Sequence, residues 1–174
     1  MNRFLLIIPV FLLSHILLLN TYAAYVDYKT LDPILKSAET FFISLRDNEY
    51  GTAWNLLSEK SHNVIIDDVY KASRKSNKDI NKEDIVKDFN SRGMMSENYW
   101  NSFIRTIDAE MILERSQWEM GFLRKDKAEI IITYNKSRRP ATLKMHKEKN
   151  TWKVGLVETF WPRKALKLLH LFVH

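Results

Sequence analysis

A chain of 174 residues with 45% apolar and 28% charged residues has the balance of one globular domain, not of a disordered segment. It has no cysteine, which excludes disulfides, zinc–thiolate sites, thiol catalysis and a lipid carried on an N-terminal cysteine. The formal charge is +6, which favours anionic neighbours, although charge alone is equally a device for solubility.

Residues 1–23 read as a secretory signal. Arg3 precedes the apolar run 4–19, and Thr21 and Ala23 provide the small side chains of a cleavage step. The alternative is an uncleaved anchor, but 16 residues interrupted by Pro9, Ser14 and His15 fall short of the ~20 that cross a bilayer comfortably. The expected location is therefore outside the cytoplasm, in a periplasm, with membrane anchoring as the alternative.

Residues 24–159 carry the domain. Asp32 and Pro33 open a first helix as cap and first-turn residue. Ile34, Leu35, Ala38, Phe41, Phe42 and Leu45 form its buried stripe, and it ends near Asp47 and Asn48. A short helix over 49–57 buries Ala53, Trp54 and Leu57. After a break at 58–61, a third helix spans 62–74, with Val64, Ile65, Val69 and Tyr70 inward. Residues 71–84 are polar and read as a helix end and loop. A short helix begins at Asn81, carries Ile85, Val86 and Phe89, and stops at Gly93. Ser96 caps the next, whose buried side is Tyr99, Trp100, Phe103, Ile104 and Ile107.

After Glu114 the period changes to two. Residues 114–123 alternate loosely and 124–127 turn. Ala128, Ile130, Ile132 and Tyr134 then share one strand face. A second turn spans 135–140. Ala141, Leu143 and Met145 alternate next, and after 148–150 so do Trp152, Val154 and Leu156. The expectation is an α+β fold: helices first, packed on one face of a curved antiparallel meander of three or four strands. A basic apolar tail, 160–174, closes the chain as an amphipathic helix.

The segment "ILKSAETFFISLRDNEYGTAWNLL" (34–57), with "DKAEIIITY" and "TLKMHKEKNTWKVGL" in the second half, resembles the nuclear transport factor 2-like superfamily, including small exported bacterial members of unknown role. The resemblance covers 32–157, with a helical insertion over about 71–95. It implies a cone, in which the sheet wraps around the helices and encloses a pocket. Some members are enzymes, of ketosteroid isomerase-like or limonene epoxide hydrolase-like type, that use carboxylates and tyrosines inside the cone. Others only bind or assemble, so the fold does not settle function. No residue role carries over to a position in this chain.

Candidate chemistry is sparse. Glu110, Glu114 and Glu119 are the candidates for a general base inside a cone, an outward carboxylate being the plainer reading. His62 beside Asp67 and Asp68 is a candidate cluster, more simply a helix-start histidine near exposed acids; His146 falls on a solvated strand face. Phe42, Trp54, Trp100, Phe103, Trp118 and Tyr134 are core residues or the lining of an apolar pocket. Lys136, Arg138, Arg139, Lys144 and Lys147 form a basic hairpin, either an anion site or charge that protects strand edges. No glycine-rich phosphate loop, nucleophile elbow or metal-ligand spacing is present. No metal or other cofactor is expected, and no nucleic acid.

In the tail, Trp161, Leu166, Leu169, Phe172 and Val173 are the candidate contact residues, interleaved with Arg163, Lys164 and Lys167. Such a segment packs on its own domain, docks a protein partner or second copy, or lies on an anionic membrane surface. The leading expectation is an exported, non-enzymatic binding or assembly domain that takes a protein partner or a small apolar ligand. A small hydrolase or isomerase using a carboxylate, and a membrane-peripheral protein, are the alternatives.

Overall fold

The computed structural model describes residues 28–76, 79–134 and 140–160, with side chains from residue 31 onward. The leader, the basic residues Lys136, Arg138 and Arg139, and tail residues Trp161, Leu166, Leu169, Phe172 and Val173 lie outside the described residues.

The fold is α+β. Among the described residues, six helices precede a four-stranded antiparallel sheet in the order β1-β2-β3-β4, and a short helix follows. Helix α1 (Tyr28–Arg46) buries Ile34, Ala38, Phe41, Phe42 and Leu45 to 1% exposure or less, the stripe expected from their spacing. It starts earlier than Asp32 and Pro33 suggested, so neither is at its entrance. Pro33 lacks the N–H that would meet the Lys29 carbonyl, a cost in the second turn that burial of the stripe overrides. The chain leaves α1 through Asn48, whose φ of 59° is the left-handed turn asparagine tolerates.

Helix α2 (Tyr50–Asn55) leads into a segment that joins the sheet. Val154 N–H donates to the Leu56 carbonyl at 2.7 Å, and Ser58 N–H donates to the Val154 carbonyl at 2.9 Å. That parallel bridge at Leu57 covers the outer edge of the last strand, which would otherwise offer unpaired backbone groups. Helix α3 (Glu59–Lys75) begins three residues before His62, because Ser58 caps it by accepting from Ser61 N–H. The expected break at 58–61 is thus the cap and first turn of α3.

Helix α4 (Lys82–Ser91) begins at the expected cap, Asn81, whose side chain accepts from Asp84 N–H at 2.8 Å. Ile85 and Phe89 are 0% and 1% exposed, so the inserted helix contributes to the common core. The left-handed residue that ends α4 is Arg92 (φ 59°), not Gly93. Helix α5 (Met94–Ile104) starts directly after Gly93, and Ser96 is buried inside its first turn instead of capping it. The cap comes from α4: Asp88 accepts from Ser96 N–H at 2.8 Å and from Met95 N–H at 3.3 Å. Ile107 lies beyond the end of α5, and α6 (Ala109–Glu114), capped by Asp108, occupies residues that carried no helix expectation.

The strands are β1 (Ser116–Leu123), β2 (Lys127–Tyr134), β3 (Ala141–Glu148) and β4 (Thr151–Gly155). Ala128, Ile130, Ile132, Leu143, Met145, Trp152 and Val154 face the helices and are at most 7% exposed, as strict alternation requires. Leu156 is fully buried but opens α7 (Leu156–Phe160) instead of continuing β4. Thr159 marks the departure: its hydroxyl donates to the Gly155 carbonyl and accepts the Lys144 N–H.

Candidate functional site

The aromatic set expected to line a pocket packs on itself. Trp100 is fully buried, with ring centroids of Phe41, Tyr50, Tyr99 and Phe103 at 6.4, 6.0, 5.3 and 5.7 Å. Phe42 meets Trp118 edge to face at 5.7 Å, and Trp54 meets Phe89 at 4.7 Å. Trp118 and Tyr134 are half-buried at the margin. Trp118 is held there by its indole N–H, which donates to the Ile112 carbonyl at 3.0 Å. Edge-to-face, tilted and stacked contacts at these separations are those of a filled core.

The three candidate carboxylates are not shielded from solvent. Glu110 and Glu114 lie on α6 and Glu119 on β1, and all three are exposed. Exposure leaves a carboxylate solvated, and the physical reason to assign them a catalytic role falls away.

His62 does not join Asp67 and Asp68. Its ring lies on Trp54 with centroids 4.0 Å apart, and its Nε2 is 2.7 Å from the Trp54 carbonyl. Burial holds this imidazole below its ordinary value, against the opposing hydrogen bond to Trp54. Asp67 instead accepts from Lys82 of α4, whose ammonium lowers its carboxyl. Asp68 lies 3.9 Å from Lys71 and is raised by burial.

The cluster with the most chemistry was not foreseen, because its members come from three distant parts of the chain. Ser58 and Ser61 belong to the start of α3, His146 to β3 and Glu158 to α7. Ser61 is 0% exposed. Its hydroxyl donates to Glu158 Oε2 at 3.2 Å, lies 2.9 Å from the Ser58 hydroxyl and accepts from Val157 N–H at 3.3 Å. Glu158 Oε1 stands 3.5 Å from His146 Nε2 and 3.6 Å from Lys60 Nζ, with the Glu158 side chain only 13% exposed. His146 is therefore half-buried against α7, not solvated as its strand position suggested. Gly155 makes room for it, since a Cβ there would lie 2.8 Å from the imidazole.

Serine, glutamate and histidine together invite comparison with a nucleophilic triad, but the order is wrong. A triad places the imidazole between hydroxyl and acid, so that nitrogen removes the hydroxyl proton. Here the carboxylate stands in the middle, and the serine is sealed from any substrate. The cluster clamps α7 onto α3 and β3. No protein-family model, curated protein or solved structure matches the chain. Its function must therefore be argued from its own residues. Among the described residues no group of three or more His, Asp or Glu side chains is placed to hold a metal ion.

The basic hairpin is also rearranged. Lys144 pairs with Glu129 on the neighbouring strand. Lys147 lies near the end of β3, beside Arg124 and Lys125 at the β1–β2 turn. β3 is an interior strand, so neither lysine protects an edge. Three residues of strand, at ~3.4 Å per residue, separate Lys147 from Lys144.

Proposed function

We propose that the protein is an exported, non-enzymatic binding or assembly domain whose contact element is the C-terminal segment after Phe160. The observation that carries this reading is the clamp on α7. A fully buried serine and a nearly buried glutamate fix a helix of only five residues, and the chain continues from it into the basic apolar tail. So short a helix has little stability of its own. Holding it with buried polar groups gives the tail a defined point of departure. Phe160, 39% exposed and 6.3 Å from the Phe103 ring, forms an apolar lip at that point.

The apolar spacing shared with nuclear transport factor 2-like proteins supports the same reading, since many of those act only by binding. The packed aromatics and exposed carboxylates support a binding role over that of a pocket enzyme. The signal-like leader supplies the exported setting.

A chain ending at Trp161 tests the proposal by light scattering and chemical cross-linking, with circular dichroism as the check on folding. The full chain is expected to associate with itself or a protein partner, and the shortened chain to remain folded and lose that association. Unchanged association in the shortened chain would remove the tail as the contact element.

A further inference from the structure

Positive charge gathers at one end of the sheet. The β1–β2 turn supplies Arg124, Lys125 and Lys127, the β3–β4 turn supplies Lys147 and Lys149, and all five are exposed. Asp126 and Glu148 of the two turns share this end, with Glu59 of α3 beside Glu148. Asp126 is exposed, while Glu148 accepts the Glu59 N–H at the start of α3 at 3.0 and 3.2 Å. On α1, Asp32 and Lys36 are exposed and offset one another.

The two turns are tied into one surface. Arg124 N–H donates to the Lys127 carbonyl, and Lys147 N–H donates to the Asp126 carbonyl, each at 2.8 Å. Lys149 and Asn150 take φ of 47° and 65°, the paired left-handed conformation of a two-residue hairpin. Asparagine or glycine would fill the first of these places at lower cost, so backbone conformation gives no reason for a lysine there. Between the turns lies an open depression bordered by Arg124, Lys125, Lys147 and Asn150, with Pro33 and Trp152 in its lining. Phe122 is 43% exposed nearby, with the Arg124 guanidinium 5.1 Å from its ring centroid.

Pro33 also fixes where the chain arrives. It lies near the start of α1, and Ser37 one turn later donates to the Trp152 carbonyl at 2.6 Å. Helix α1 therefore enters the domain at the basic end. Residues 20–27 separate the apolar run 4–19 from Tyr28, and eight residues reach at most about 28 Å. A bilayer that takes up the apolar run thus has the basic turns within a short distance of its headgroups.

We propose that this end of the sheet is a docking surface for anionic lipid headgroups, with the cations of the two turns on the phosphates and Phe122 at the interface. The choice of lipid rests on the alternative in which residues 4–19 stay attached as an uncleaved anchor, not on the cleaved reading. It is independent of the role assigned to the tail. Basic residues next to an anionic leaflet each strengthen binding about fivefold.

The test is lysine footprinting of the full chain on phosphatidylcholine vesicles with and without phosphatidylglycerol, read by mass spectrometry after acylation with a water-soluble reagent. Phosphatidylglycerol is expected to slow labelling of Lys125, Lys127, Lys147 and Lys149 about tenfold, and to leave Lys75 and Lys87 unchanged. Salt at about 0.5 M should restore the lost labelling. R124E should do so at low salt, and the chain ending at Trp161 should keep the protection. Equal labelling on the two kinds of vesicle, or equal slowing at Lys75 and Lys87, overturns the proposal. Protection by soluble heparin but not by phosphatidylglycerol overturns it too, in favour of an acidic polysaccharide.

Discussion

At the residue scale, the junction between α4 and α5 shows how a glycine and an acid depend on each other. A Cβ on Gly93 would lie 2.1 Å from Asp88 Oδ2. The glycine is needed for space, since its φ of −78° suits any residue. Gly93→Ala is expected to evict the carboxylate and cost about 1–2 kcal/mol, the usual value of a helix cap. Asp88→Ala should cost a similar amount, and the double variant little more than either, because both lose one interaction. Urea unfolding of the three variants measures this, and full additivity would show that the glycine serves another purpose. The sequence placed Ser96 at this cap because Ser is a common N-cap residue. It had no means of showing that an acid eight residues upstream had already taken the role.

His62 sets a pH dependence of known sign. The unfolded imidazole titrates near 6.5, and burial lowers it in the fold. Between the two values the unfolded chain binds more protons. The stabilisation is therefore complete above about pH 6.5 and declines as the pH falls through the folded value. His62→Gln keeps a donor for the Trp54 carbonyl and removes the titration. Its melting temperature should fall less than that of the parent between about pH 7 and pH 5. Parallel falls in the two proteins would assign the acid sensitivity elsewhere.

At the element scale, α7 is the helix most dependent on partners it does not contain. Glu158 holds it to Ser61, His146 and Lys60. Glu158→Ala leaves the buried Ser61 hydroxyl without that acceptor and should cost about 1–3 kcal/mol. Hydrogen exchange should show lost protection at the amides of α7 while β2 and β3 keep theirs. If protection in α7 is unchanged, the clamp is not what holds it. The elements themselves divide by how local their signal is. The stripe of α1 and the alternation of β2 and β3 were legible because period and burial agree within each segment. Helix α6 was missed: of its six residues Ala109 alone is buried, so no apolar stripe marks it, whereas α2, equally short, carries Ala53 and Trp54.

For the whole molecule, one core joins helices and sheet, from Ile34 on α1 to Val157 on α7. Trp100 is at its centre, and Trp100→Ala should cost about 3–5 kcal/mol. Because the core is shared, helical dichroism and aromatic fluorescence should be lost at the same urea concentration in parent and variant. Two separate transitions would mean that helices and sheet stand independently.

The amino-acid order alone determined the class of fold, the strand faces and most helices, because hydrophobic period is written in neighbouring residues. It also determined that thiol chemistry is excluded. Only tertiary structure decided that the aromatics fill a core, that Glu110, Glu114 and Glu119 face solvent, and that His146 meets Glu158. The same holds for Lys147, which sits beside Arg124, and for Lys144, which pairs with Glu129. Such relations depend on which distant segments pack together, and spacing along the chain carries no record of that.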